Sequence, residues 1–223
     1  MIATAPTAPK AFDYKYQIVQ MYTDAKKSKE FREELLTWVR NYGISGAWYQ
    51  TNKDNAELIE SSNKLREGTL RNYILQQHQT AQNSRAPFSQ QLAYEGYKIY
   101  IAEFPTAATN GDMHFYFGEL LYDMNKFDEA SHEYKWVVDN AKESKFYGKA
   151  SENIVLALEK DLPTDQAVQE RVGKTLEPVK MDTKVDLFIS TGIWYANKFP
   201  SSEKTPEIKF RIGRLMYQHN QFD

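Results

Sequence analysis

With 223 residues, of which 41% are hydrophobic and 26% charged, the chain has the composition of a folded protein with one large domain or two small ones. Its 28 Lys and Arg residues face 30 Asp and Glu residues, so no excess of positive charge indicates nucleic-acid binding. The absence of cysteine excludes disulfides, thiolate zinc sites and a cysteine nucleophile, and no run of about 18 apolar residues predicts a membrane-spanning segment.

The chain begins with MIATAPTAPKAF, which is rich in alanine, threonine and proline. This composition predicts a disordered lead-in over residues 1–10. The segment lacks a charged leader and is too short in apolar residues for a signal peptide. If the natural protein carries a signal, we expect this chain to begin after it.

Helical periodicity dominates the next part of the chain. Apolar residues recur at three- and four-residue intervals over residues 14–26 and 29–42, and the stretch SGAWYQTNKDN is interpreted as a connection. A long polar helix with a narrow apolar stripe is predicted over about residues 54–84. Pro87 opens a further helix.

The clearest unit is a predicted pair of helices that begins at Asn110, a residue type that caps helices. The apolar positions of its first helix share one face, and the short turn NKFD leads into a returning helix. So short a turn predicts an αα-hairpin. The residues that carry these two faces are Met113, Phe117, Leu120, Met124, Phe127, Ala130, Tyr134, Val137 and Val138.

A second copy of this unit follows 95 residues later, without a gap. The first copy continues into EASHEYKWVVDN, whereas the second ends at Asp223. This difference predicts a repeat protein that is cut inside its last repeat. The matching pairs are Phe104 with Phe199, Gly118 with Gly213, Leu120 with Leu215, Tyr122 with Tyr217, Asn125 with Asn220, and Phe127 with Phe222.

The first copy resembles a tetratricopeptide repeat. Gly118 stands for the small residue of the first helix, Tyr122 for the aromatic near its end, and NKFDEA for the turn into the second helix. His114 replaces the family's tryptophan, and Lys142 replaces its closing proline. The resemblance implies an all-α fold, a right-handed superhelical solenoid of helical hairpins truncated inside its last repeat.

The resemblance also implies a division of the chain. Residues 11–85 are interpreted as divergent N-terminal repeats and residues 86–223 as tetratricopeptide-like repeats. Since two such units span about 68 residues, the spacing of 95 leaves about 27 residues over. A proline-bounded, apolar-poor stretch accounts for them as an insertion at about residues 161–181, inside the middle hairpin.

No recognised catalytic motif or metal-ligand spacing occurs in the sequence. The four histidines lack a zinc-binding arrangement, and no HExxH, GxGxxG, GxxxxGK[ST] or GxSxG is present. His114 stands at a core aromatic position, which favours packing over ligation. We therefore expect a non-enzymatic protein without a cofactor or metal.

A solenoid implies a concave face that binds a partner protein or peptide. By resemblance, that face is lined by first-helix positions around the two glycines. The acidic side chains among them argue against a lysine- and asparagine-based clamp for a partner's carboxylates, and the rings of Phe115 and Tyr122 could instead pack between repeats. The predicted partner-binding residues are Asp112, Phe115, Glu119, Tyr122, Asp123, Phe210, Arg214 and Tyr217.

Two alternatives to a protein-binding scaffold remain open. One is a structural element that self-associates, as a homo-oligomer, through an uncovered apolar face of the last helix, formed by Ile208, Ile212, Leu215 and Met216. The other is the helical regulatory region of a larger enzyme. The long polar helix, the Phe-Pro breaks and the inserted repeat also resemble large tetratricopeptide proteins of bacterial cell envelopes, which favours the periplasm or envelope over the cytoplasm.

Overall fold

The computed structural model describes residues 5–222, and these form eleven α-helices and no β-strand, which confirms the all-α prediction. The chain divides into two compact units, Met1–Asn110 and Gly111–Asp223. The helices are α1 (Ala11–Asp24), α2 (Ser28–Asn41), α3 (Ala47–Asn52), α4 (Ala56–Ser84), α5 (Pro87–Glu103), α6 (Asn110–Asp123), α7 (Phe127–Asn140), α8 (Tyr147–Lys160), α9 (Asp165–Val172), α10 (Thr183–Lys198) and α11 (Thr205–Gln218).

In the first unit, α1 packs on α2 and α4 packs on α5. An aromatic cluster closes the end of the α1–α2 pair. The Phe12 ring lies 5.2 Å from Trp38, 5.4 Å from Tyr42 and 5.3 Å from Trp48, measured between ring centroids. Because rings at these distances bury large apolar areas, the cluster is a major part of this unit's core.

The N-terminal segment and the stretch after α2 differ from the sequence prediction. Residues 1–4 lie outside the described part of the chain, but at residues 5–10 the backbone takes part in tertiary hydrogen bonds. The Trp48 Nε1 donates to the Ala8 carbonyl at 2.9 Å, and the Asn52 amide donates to the Thr7 carbonyl at 2.9 Å. These bonds come from α3, a helix in the stretch SGAWYQTNKDN, for which the sequence predicted a connection.

A buried arginine of α4 connects α2 and α5 in the first unit. Arg66 of α4 is 1% exposed. Its Nε and Nη2 donate to the Val39 carbonyl at 3.0 and 2.5 Å, and its Nη2 also donates to Glu103 at 3.0 Å. Val39 stands in the last turn of α2, where carbonyls lack intrahelical partners. Burial lowers the pKa of Arg66 to about 10, so the side chain remains charged at neutral pH.

The same turn at the C-terminus of a helix occurs three times in the described residues. Lys26, Asn125 and Asn220 adopt left-handed backbone conformations with φ of 55°, 59° and 57°. In each turn the following N–H bonds a carbonyl five residues back, at 3.0, 2.9 and 2.9 Å. This is a Schellman motif, in which the left-handed residue satisfies carbonyls at the helix end.

A second type of connection also recurs. Phe104, Ala141 and Phe199 end helices with φ and ψ of −129° and 51°, −130° and 52°, and −127° and 60°. The next helix begins six residues later in every case, at Asn110, Tyr147 and Thr205. The 95-residue repeat of the sequence is therefore also a repeat of backbone conformation.

In the second unit, α8 packs on both α7 and α10, and α10 packs on α11. Close approach depends on small residues. A Cβ added at Gly118 would lie 2.6 Å from the Tyr134 ring, and one added at Gly192 would lie 2.9 Å from Ile212. The short helix α9 contacts α11.

Candidate functional site

A groove of about 590 Å³ lies between α7, α8 and α10 in the second unit. Its floor consists of Val138, Ile154 and Leu158, which are buried. The wall on α10 adds Leu187, 42% exposed, and Trp194. Concave sites with an apolar lining are typical binding sites, so this groove is the candidate functional site.

The groove exists because α10 carries two stripes of large side chains. Val185, Phe188 and Tyr195 form the inner stripe and are buried in the core. Leu187 and Trp194 lie seven residues apart, which places both on a second face of the helix. That second face lines the groove, so α10 contributes to the core with one face and to the groove with the other.

The rim of the groove is mainly cationic. Lys135 bonds Asp139 at 2.6 Å, four residues along α7. Lys142 and Lys198 also line the groove, are exposed and have no ion-pair partner in the part of the chain that the structure describes. Two unneutralised ammonium groups beside an apolar floor favour a ligand that carries negative charge.

The predicted concave-face residues of the first copy are largely engaged within the chain. Phe115 is buried, and its ring stacks on Phe146 at a centroid distance of 4.2 Å. Glu119 accepts hydrogen bonds from the Tyr134 hydroxyl at 2.6 Å and from the Asn153 amide at 2.7 Å. These contacts join α6 to α7 and α8. The Phe115 ring thus packs between helices, which was the alternative to binding a partner. Burial and the bond to Glu119 raise the pKa of Tyr134, so its hydroxyl remains a donor.

The other predicted residues of this copy lie nearer the surface. Asp112 pairs with Lys145 at 3.3 Å. The Tyr122 ring is half-buried and meets the Phe127 ring edge-on at 5.1 Å, and Asp123 is exposed. None of the three lines the groove between α7, α8 and α10.

In the second copy the predicted residues separate into two kinds. Phe210 and Tyr217 are 73% and 71% exposed. Arg214 instead forms an ion pair with Asp165 of α9, to which Gln218 also donates a hydrogen bond at 3.0 Å. Of these three predicted residues, the two rings therefore remain available at the surface of α11.

The predicted self-association surface is not open in this structure. Ile208, Ile212 and Leu215 are buried, and Met216 is half-buried. Ile208 and Ile212 pack closely against Gly192 of α10. This differs from the sequence prediction, because α10 packs over the apolar face that was expected to lie uncovered.

The insertion folds onto the end of α11. The Val179 N–H donates to the His219 carbonyl at 2.9 Å, and the Asn220 amide donates to the carbonyls of Thr175 and Glu177 at 2.9 and 3.1 Å. Only Val168 of α9 is buried. Because polar and backbone groups make these contacts, no hydrophobic pattern in the sequence could have indicated them.

We predict that Asn220→Gly speeds tryptic cleavage at Lys174, which is exposed, about tenfold. Glycine keeps the left-handed turn but loses both side-chain hydrogen bonds to the insertion, each worth about 0.5–1.5 kcal/mol. Limited proteolysis with mass spectrometry measures the rate. Asn125→Gly, in the equivalent turn after α6, is the matched control and should leave cleavage at Lys174 unchanged. Equal rates in parent and Asn220→Gly would contradict the tethering role.

The buried histidines of α4 and α6 are engaged in contacts within the chain. His114 Nδ1 lies 2.5 Å from Glu133, and its ring stacks on Trp136 at 3.7 Å. His78 Nδ1 lies 2.8 Å from the Tyr97 hydroxyl, and burial lowers the pKa of His78 to about 4. Within residues 5–222 no three His, Asp or Glu side chains come together as a metal site, and no helix there combines the length and apolarity needed to cross a bilayer.

Neither type of sequence comparison relates this chain to a known protein. No protein-family model matches it. No curated protein matches it significantly.

Proposed function

We propose that the chain is a non-enzymatic protein-interaction module that binds an acidic, amphipathic helix of a partner protein in the groove between α7, α8 and α10. The observation that carries this proposal is an apolar floor beside Lys142 and Lys198, for which residues 5–222 provide no ion-pair partner. We further propose that its hairpins form a tetratricopeptide-like solenoid, which the recurrence of two connection geometries supports.

The groove suits a helix better than an extended strand for a physical reason. All three surrounding elements are helices, whose backbone donors and acceptors are satisfied internally, so no sheet edge is offered to a strand. A partner helix with apolar side chains three and four residues apart would place them against Leu187, Trp194 and Ile154. Tryptophan is a frequent hot-spot residue, and the half-buried Trp194 lines the groove, so it should dominate the affinity.

The test uses a synthetic amphipathic helix with leucines on one face and glutamates on its flanks, and a twin with lysines on its flanks. Fluorescence anisotropy measures both affinities for the full chain. We expect the glutamate peptide to bind at least tenfold more tightly than its twin. Trp194→Ala should weaken that binding at least tenfold, and the pair Lys142→Glu with Lys198→Glu should reverse the preference.

Lys180→Glu, at an exposed position of the insertion, is the matched control and should bind like the parent. Circular dichroism checks that each variant keeps its helical content. Equal binding of the two peptides, or unchanged binding by the charge-reversed pair, would contradict the proposal.

A further inference from the structure

A second cavity, of about 710 Å³, lies in the first unit beside the turn between α1 and α2. Four basic side chains line it, and none of the described lining residues is Asp or Glu. The acidic residue of the first turn of α2, Glu30, is not part of the lining. One of the four, Lys29, reaches Glu33 at 4.0 Å, but both side chains are mostly exposed to solvent. The basic residues are Lys26, Lys27, Lys29 and Arg32.

The N-terminus of α2 adds to this positive charge. Lys27, Ser28 and Lys29 occupy the N-cap and first turn of the helix, and all three line the cavity. The first N–H groups of a helix have no intrahelical acceptor, and the helix dipole places partial positive charge there. Backbone and side chains therefore favour an anion at the same place.

Another part of the cavity wall is aromatic. Phe31 and Tyr73 lie with ring centroids 5.9 Å apart, and Phe88 is 70% exposed. Tyr73 itself is 7% exposed, and its hydroxyl has no hydrogen-bond partner in the described part of the chain. Burial raises the pKa of Tyr73 to about 12, so the hydroxyl is a donor at neutral pH. A buried donor without an acceptor is costly, and a ligand oxygen would satisfy it.

The left-handed residue of the turn between α1 and α2 also indicates an anion site. Asn125 and Asn220 occupy the left-handed position in the two later copies of this turn, and asparagine tolerates that conformation well. The first copy instead has Lys26 with φ of 55°. A basic side chain thus stands beside the cavity where the turn alone favours asparagine.

We propose that this cavity binds an aryl phosphate, with the phosphate at the N-terminus of α2 among the four basic side chains and the ring against Phe31 and Phe88. A phosphate matches this charge better than a carboxylate, because it carries up to two negative charges and several acceptor oxygens. The ring accounts for the aromatic wall, which a bare anion would leave unused. The ligand is either a free aryl phosphate or a phosphotyrosine within a peptide. This site is separate from the groove of the second unit and does not depend on the function proposed for it.

The test titrates the full chain with phenyl phosphate while nuclear magnetic resonance follows the backbone amides. We expect the amides of Ser28 and Lys29 to shift most. Inorganic phosphate, which lacks the ring, and benzyl alcohol, which lacks the phosphate, should each bind at least tenfold more weakly. A phosphotyrosyl tetrapeptide distinguishes the two sources: tighter binding than phenyl phosphate indicates a peptide, and equal binding indicates a free small molecule.

Two variants test the basic residues. Lys26→Asn should weaken phenyl phosphate binding about three- to tenfold while keeping the turn, since asparagine occupies it at position 125 and at position 220. Arg32→Gln should have a similar effect. Lys53→Asn, at an exposed position after α3 and away from the cavity, is the matched control and should bind like the parent. Unchanged binding in both cavity variants, or amide shifts confined to other helices, would overturn the proposal.

Discussion

Arg66→Ala is expected to lower the free energy of unfolding of the first unit by about 3–5 kcal/mol, the typical cost of removing one partner of a buried ion pair. The substitution leaves the Val39 carbonyl and the Glu103 carboxylate without their donor. It also removes a long side chain that is 1% exposed. Native-state hydrogen exchange of the α2 and α4 amides measures the change in the first unit separately from the second.

Arg71→Ala, on the same helix, is the matched control. Arg71 pairs with Glu67 at 2.9 Å but is 33% exposed, and Glu67 keeps hydrogen bonds from Tyr100 and Thr109. Loss of the Arg71 side chain should lower the free energy of unfolding by no more than about 1 kcal/mol. In Arg66→Met with Glu103→Leu, which removes both charges, part of the loss should be recovered. Equal costs for Arg66→Ala and Arg71→Ala would show that burial does not set the contribution of Arg66.

Gly118 and Gly213 occupy equivalent positions of the 95-residue repeat. Alanine substitutions at these two positions are expected to have opposite effects on the free energy of unfolding. A Cβ at Gly118 would lie 2.6 Å from Cε1 of Tyr134, whose hydroxyl is fixed by Glu119. The resulting displacement should cost about 1–3 kcal/mol. Gly213 has no neighbouring atom within 4 Å and lies inside α11. There, alanine should stabilise the protein by about 0.5–1 kcal/mol through its higher helix propensity.

Hydrogen exchange of the α7 and α11 amides in the full chain measures both effects. Gly118→Ser, which adds the same Cβ, should cost at least as much as Gly118→Ala. If both alanine substitutions stabilised the protein, the Tyr134 ring would have to move aside at little cost, which would contradict the prediction.

The two glycines also show how far the sequence can predict this fold. The 95-residue offset, the helical spacing and the turn asparagines are local patterns, and the structure has helices and left-handed turns at those positions. The sequence gives both glycines the same role as small residues in a helix crossing. Only Gly118 meets a neighbouring ring, because the residues that approach a helix are determined by tertiary packing rather than by its own pattern.

The buried arginine, the helix α3 and the groove could not be predicted either, because each depends on tertiary packing. Arg66 lies in a helix with a polar sequence, where a charged side chain predicts solvent exposure rather than burial. The helix α3 is short, and Trp48 ties it to the N-terminal segment, so neither has a clear pattern alone. The groove residues Leu187 and Trp194 belong to an apolar sequence that is equally consistent with a core, and only the packing of α8 and α10 separates the two faces.

The hydrogen bonds between the insertion and the end of α11 also bear on how the chain acquires its structure during synthesis. These bonds join residues 40 to 53 positions apart. At about 5–20 residues per second, ribosomal translation leaves the insertion without its partners for about two to ten seconds. Its helix α9 buries only Val168, so before those bonds form α9 exposes little apolar surface beyond what the folded protein already exposes. A polar insertion is therefore suited to a contact that must form late.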